Sequence, residues 1–180
     1  MALGYVAAGV LAGCYSAYLI IQSSGVEPVA ADSQWLSRAA GLAGPSGYYV
    51  RLHYLMEGRL PPAPGQLTEA TAERDKDGEA LSGACRYRIT SSGPLPRWWS
   101  LAVTDAAEVG ASLQSALDND TAIREADGAV SIILSQTPQP GNWLRAPGAR
   151  RLTLLYSSIQ AGGQRFGAPP PFVIDRERCR

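Results

Sequence analysis

The sequence predicts a mainly β chain: a single N-terminal transmembrane helix, then an antiparallel β-sandwich carrying one or two short helices. Three observations predict it. The run "ALGYVAAGVLAGCYSAYLII", Ala2 to Ile21, holds no charged side chain. From Gln66 onward the apolar period is two, the spacing that puts alternate side chains on one face of a strand. Finally, Asp77-Gly78 and Asp127-Gly128 mark tight turns between short strands, with no run of long helices between them. The corresponding organisation is 1–22 transmembrane helix, 23–65 linker and short helices, and 66–180 β-sandwich.

The N-terminal run is long enough to cross a hydrocarbon core of about 30 Å. A cleaved signal peptide and a lipoprotein signal ending "LAGC" at Cys14 are the alternatives. No Lys or Arg precedes the run, and it exceeds the usual length of a signal core, so an uncleaved single-pass anchor is expected. The first cation after it is Arg38, which favours an amino terminus inside and the bulk of the chain exported. In a bacterial cell that places the anchor in the inner membrane and the domain in the periplasm.

Along the linker, "SQWLSRAAGLAG" suggests a short helix around Trp35 and Leu36. Tyr48, Leu52 and Leu55 recur at helical spacing before Gly58 and Pro61, giving a second helix at 46–57. Beyond Gln66, "CRYRIT" turns Cys85, Tyr87 and Ile89 to one side, and "RWWSLAVTD" does so for Trp99, Leu101 and Val103. "ADGAVSIILS" buries Val130, Ile132 and Leu134, "RRLTLLYSS" buries Leu152, Leu154 and Tyr156, and "PFVID" is the last strand. The segment 106–120, "AAEVGASLQSALDND", is the exception and suggests a helix capping one end of the sandwich.

Chemistry is sparsely encoded. Sixteen basic residues balance sixteen acidic ones, so no nucleic-acid partner is expected. His53 is the only histidine, which removes a histidine metal cluster. "DKDG" lacks the further ligands of a calcium loop and is a turn. Asp105 and Glu108 lack the surroundings that would raise a carboxyl pKa. No phosphate loop, dinucleotide fingerprint or nucleophile elbow is present. No catalytic residue, metal ligand or cofactor is therefore assigned. Cys85 and Cys179 are either a disulfide suited to an exported domain or two unpaired thiols. Trp98, Trp143, Arg145, Arg150 and Arg151 form a candidate surface for a ligand or partner, against the alternative of charged strand edges that discourage aggregation.

Four motifs in order, "RWWSLAVTD", "DGAVSIILS", "GNWLRAPG" and "LTLLY", resemble the domain of unknown function family 1214 over residues 66–175. The matching positions include Trp99, Asp105, Gly128, Asn142, Trp143, Leu144, Pro147 and Tyr156. The resemblance implies a jelly-roll-like sandwich, in the short membrane-anchored form, and no established activity. Two places depart from the pattern: Arg145 stands where the family usually has proline, and the family often has arginine before the Leu-Tyr pair, where here Leu154 is followed by Leu155. Within "GNWLRAPG", Asn142 is expected to bond its own turn and Trp143 to plug the core, making the stretch a structural corner first and a ligand site second.

The span itself carries the stronger functional signal. Gly4, Ala8, Ala12 and Ser16 lie four apart, as do Gly9, Gly13 and Ala17, and such ridges let helices approach closely in lipid. The expected partners are the lipid bilayer and one or more membrane proteins reached through this helix. The expected role is a non-catalytic accessory or assembly subunit of a membrane complex. The alternative is a periplasmic enzyme or carbohydrate-binding module using the sheet face and the Trp143 loop.

Overall fold

Alternating apolar side chains from two sheets meet between them and form the core of the protein. The computed structural model describes residues 2–31, 33–38, 42, 44–45, 47–62, 67–106, 115–159 and 170–179. In chain order the elements are α1 (Ala2–Ser23), β1 (Glu27–Pro28), β2 (Leu36–Ser37), α2 (Gly47–Met56), β3 (Leu67–Ala72) and β4 (Cys85–Ser91). There follow β5 (Trp98–Asp105), β6 (Ser115–Asp118), β7 (Ser131–Ser135), β8 (Asn142–Arg145), β9 (Leu152–Ile159) and β10 (Phe172–Cys179). One sheet has the order β1-β2-β3-β9-β5-β6 and the other β10-β4-β7-β8. The protein is thus mainly β, a two-sheet structure preceded by an apolar helix.

The predicted inward residues are inward. Trp99, Leu101 and Val103 of β5, with Leu152, Leu154 and Tyr156 of β9, face Tyr87 and Ile89 of β4, Ile132 and Leu134 of β7, and Phe172 and Ile174 of β10 in one buried cluster. Phe172 lies at its centre, with ring centroids 5.1 Å from Trp99 and 5.9 Å from Tyr156. Such tilted and edge contacts suit the aromatic quadrupole.

Three expectations change. No helix forms at Trp35 and Leu36. Leu36 enters β2, paired to β1 and, through Thr71, to β3. Trp35 is buried in the core, with its indole N–H donating to the Phe172 carbonyl at 2.8 Å, and this tertiary contact overrides local helical propensity. The helix expected in 106–120 is replaced at Ser115–Asp118 by β6, which satisfies the open edge of β5; residues 107–114 lie outside those described. The second sheet is mixed rather than wholly antiparallel, because β8 runs parallel to β7. The intervening "QTPQPG" holds Pro138 and Pro140, which favour extended backbone, and ends at Gly141 with φ 80°, so the chain doubles back without a helical crossover.

The reversal at "DKDG" is built around a buried carboxylate. Asp75 Oδ1 accepts the backbone N–H groups of Asp77 and Glu79, and Oδ2 pairs with Arg176 at 2.9 Å. This stretch closes on itself through Arg74 and Ala80 and then passes to the other sheet. The glycine of the next loop is fixed by crowding. A Cβ at Gly83 would collide with the Pro147 carbonyl, while its N–H donates to Ala149. The corner after Pro147 therefore packs backbone on backbone before β9 begins.

Cys85 and Cys179 stand opposite each other in the β4–β10 ladder and are joined as a disulfide across 94 residues. Mass mapping without reductant is expected to recover the linked peptides. Reduction is expected to lower stability by about 4–5 kcal/mol on the chain-entropy account, read as a fall in the urea midpoint. Free thiols in protein taken from an oxidising compartment would contradict the pairing.

Candidate functional site

α1 is long and apolar enough to cross a membrane by length and composition, a property that signal sequences share. Its two ridges of small residues, Gly4, Ala8, Ala12 and Ser16 beside Gly9, Gly13 and Ala17, are exposed throughout. Side-chain atoms added at Gly4, Gly9 or Gly13 would meet nothing within 4 Å. The Ser16 hydroxyl turns back onto the Gly13 carbonyl at 2.9 Å, so its polar group is spent within the helix.

At the C-terminal end of α1 a charge cluster gathers that sequence reading missed. Arg38 donates to the carbonyls of Gln22 and Ser24 at 2.7 and 2.8 Å, capping the helix where its carbonyls are unsatisfied and its dipole is negative. The adjoining α2 packs on the outer face of β3. Tyr54 donates to Glu69 Oε1 at 3.1 Å, and Arg59 pairs with Glu69 Oε2 and, at 3.2 Å, with Glu57. His53 Nε2 lies 3.0 Å from the other oxygen of Glu57, one helical turn on, and its buried Nδ1 finds no partner among the described residues. The Arg59 guanidinium also sits 5.5 Å from the Tyr54 ring centre.

The electrostatics follow from burial and reciprocal pairing. Burial, then the Glu69 carboxylate, pushes the Tyr54 hydroxyl far above the ordinary tyrosine range, so it stays a proton donor. The His53 hydrogen bond holds the Glu57 carboxyl low against the opposing effect of burial. Burial disfavours the Arg59 charge, and Glu69 more than offsets it. Burial lowers Arg38, with partial compensation from Glu57. Each charge is matched by a partner and no nucleophile joins the set. Among the described residues these contacts tie α2 and Arg59 to Glu69 of β3.

The "GNWLRAPG" stretch is a corner, but with different parts. Asn142 bonds not its own turn but a loop 19 residues back: its Oδ1 accepts the Ile123 N–H at 2.6 Å and its Nδ2 donates to the Ile123 carbonyl at 2.8 Å. Trp143 is half-buried on the outer side of β8 and outside the core cluster; its indole N–H donates to the Ser135 carbonyl at 3.0 Å. The core plug is Leu144, fully buried, because alternation turns Asn142, Leu144 and Ala146 inward. Arg145 and Arg150 are exposed, and Arg151 is exposed and pairs with Glu73 at 2.8 Å. The Arg145 N–H donates to the Ser115 hydroxyl at 3.1 Å, a bond that proline at this position would remove. Trp98 is half-buried on the face of β5 opposite Trp99.

A separate open cleft of about 700 Å³ lies beside Gln34, Trp35, Arg74, Lys76, Phe172 and Val173. None of Trp98, Trp143, Arg145, Arg150 or Arg151 lines it. Its cationic Lys76 is taken up by Asp175 at 2.5 Å.

Two sets of substitutions follow. Leu144→Ala is expected to cost about 2–5 kcal/mol and Asn142→Ala about 1–3 kcal/mol through the backbone groups it strands, while Trp143→Ala costs only about 1–2 kcal/mol. Denaturant melts check the order, and Trp143→Ala as the most damaging of the three would restore tryptophan as the plug. In the cluster, Arg59→Met alone leaves Glu69 buried beside a hydroxyl and is expected to cost about 2–4 kcal/mol. Adding Glu69→Leu should recover most of that loss. Strict additivity of the two changes would show that the pair does not interact.

No curated protein matches this chain. Solved structures do match, among them the following two. An uncharacterized protein from Burkholderia cenocepacia is 23% identical with a TM-score of 0.52, over 66% of this chain and 31% of its own length. The VPA0106 protein from Vibrio parahaemolyticus is 16% identical with a TM-score of 0.55, over 94% of this chain and 44% of its own. At these identities the likeness is one of fold, and the chain spans less than half the length of either. The family described as "Protein of unknown function (DUF1214)" matches residues 66–159, which run from β3 through β9 and include Asn142 and Trp143 but none of Arg38, His53, Tyr54, Glu57 and Arg59. That match covers more than half of the sequence, and the chain belongs to this family.

Proposed function

We propose that this chain is a single-pass protein of the bacterial inner membrane whose β-sandwich lies in the periplasm and serves as a non-catalytic accessory or assembly subunit of a membrane protein complex. The observation that carries this reading is the uncovered small-residue face of α1, where side-chain atoms at Gly4, Gly9 and Gly13 would meet no neighbour. In lipid, apolar burial does not favour one helix contact over another, so close backbone approach at such a face is what confers preference. The Cys85–Cys179 disulfide suits an oxidising compartment. The closed pairing of His53, Glu57, Arg59 and Glu69 suits a fixed mount.

The competing reading is a periplasmic enzyme or carbohydrate-binding module. Its support is the open cleft beside Trp35 and Phe172 rather than the Trp143 loop, whose indole N–H is already committed.

The deciding variant is Gly9→Leu/Gly13→Leu in the full-length chain. It adds bulk at the proposed contact without lowering hydrophobicity, so membrane insertion should persist. Recovery of co-purifying membrane proteins in mild detergent should fall about tenfold, the loss that follows from removing ~1–2 kcal/mol of helix packing. Undiminished recovery would make α1 a tether and shift the reading to a domain that acts alone.

A further inference from the structure

We propose that the outer face of α2 lies in the lipid interface of the membrane that α1 crosses, so that the protein rests on the bilayer as well as being threaded through it. This rests on the anchored reading of α1 given above.

The composition of α2 raises the question. Gly47, Val50, His53 and Tyr54 form its buried side, with Val50 and Tyr54 packed on Leu42. The opposite side should then be polar in a water-facing helix. Instead it carries Tyr48, 79% exposed, Leu52, 44%, and Leu55, 60%, with Tyr49 and Met56 on its flank. Leu60, just beyond the helix, is 86% exposed. Arg51 is the only formally charged residue between Gly47 and Met56, and it too is exposed. A helix whose exposed side is apolar in this way suits contact with another apolar surface or with lipid better than with water. At ten residues it is about 15 Å long, too short to span, and must lie in the plane of an interface.

Position selects the occupant. The Arg38 side chain that caps α1 at Gln22 and Ser24 is electrostatically coupled to Glu57 and Tyr54 at the end of α2, and α1 and α2 are in contact. The exposed face of α2 is therefore held near the point where α1 leaves the hydrocarbon. Tyrosines at such a level place their rings among acyl chains and their hydroxyls in water, which is why they concentrate at membrane interfaces. Arg51 can extend its charge toward phosphate while its stem stays in the apolar layer.

The test uses the full-length chain with Cys14→Ser and the Cys85–Cys179 disulfide intact. A single cysteine is introduced at Leu52, Leu55, Leu11 or Ile123, spin-labelled, and reconstituted into phosphatidylcholine–phosphatidylglycerol vesicles. Leu11 lies in the span, and Ile123 is an exposed apolar residue of the sandwich at 65%. Power saturation compares collisions with oxygen, which concentrates in lipid, against a nickel chelate confined to water. Labels at 52 and 55 are expected to favour oxygen, as the label at 11 does, and the preference should reverse at 123. Labels at 52 and 55 that behave like 123 while 11 remains lipid-like would overturn the interfacial helix and leave the anchor standing. Shielding of 52 and 55 from both reagents would overturn it in favour of a protein cover. A water-like label at 11 would remove the anchor, and the proposal with it.

Discussion

The contact on which the rest depends is the meeting of Trp35 with Phe172. Trp35 comes from the segment after α1, and Phe172 from the final strand, 137 residues later. The indole N–H of one donates to the backbone carbonyl of the other, and the neighbouring Gln34 side chain donates to the same carbonyl at 3.1 Å. The Phe172 ring completes the cluster with Trp99 and Tyr156, while Trp35 packs edge-on to Tyr156 at 6.1 Å. One site therefore joins both sheets and both ends of the fold. Burying the Trp35 indole here is favoured by this acceptor for its N–H, so the first segment and the last strand stabilise each other.

The charged mount follows the same logic of mutual requirement. Glu69 is buried on β3 and would be costly alone; Tyr54 and Arg59 satisfy it from α2 and the residues just beyond. Arg59 in turn shares Glu57 with His53, and Arg38 closes the end of α1. These links connect α1, α2 and the sheet through directional bonds, where an apolar contact alone would permit sliding.

What could be read from the sequence was what local periodicity determines. The inward sets on β4, β5, β7 and β9 were legible because a two-residue period directly encodes a half-buried strand. The fate of Trp35 was not, since its partner is remote. Size points Trp143 inward but parity points it outward: Asn142, Leu144 and Ala146 alternate with it, and Leu144 together with the small Ala146 is the cue to which side faces the core. The return of β8 alongside β7 left only an indirect trace in Pro138, Pro140 and Gly141. The charge cluster escaped because its members are scattered from Arg38 to Glu69, although His53 and Glu57 lie at the i, i+4 spacing that juxtaposes side chains on a helix. The spacing of Tyr48, Leu52 and Leu55 encodes a helix, whereas what that exposed apolar side faces is not a local property.

The pairing of β10 with β4 also has a consequence for biogenesis. Seven registered positions, from Phe172 with Ser91 to Cys179 with Cys85, join an early strand to a late one. During vectorial synthesis, β4 emerges while its neighbour is still unmade. Its backbone groups on that edge and its cysteine must wait through the passage of every intervening strand. Completion of this sheet thus waits on delivery of the distal segment: a nascent chain stalled before Phe172 would leave the β4 edge open and Cys85 without its disulfide partner.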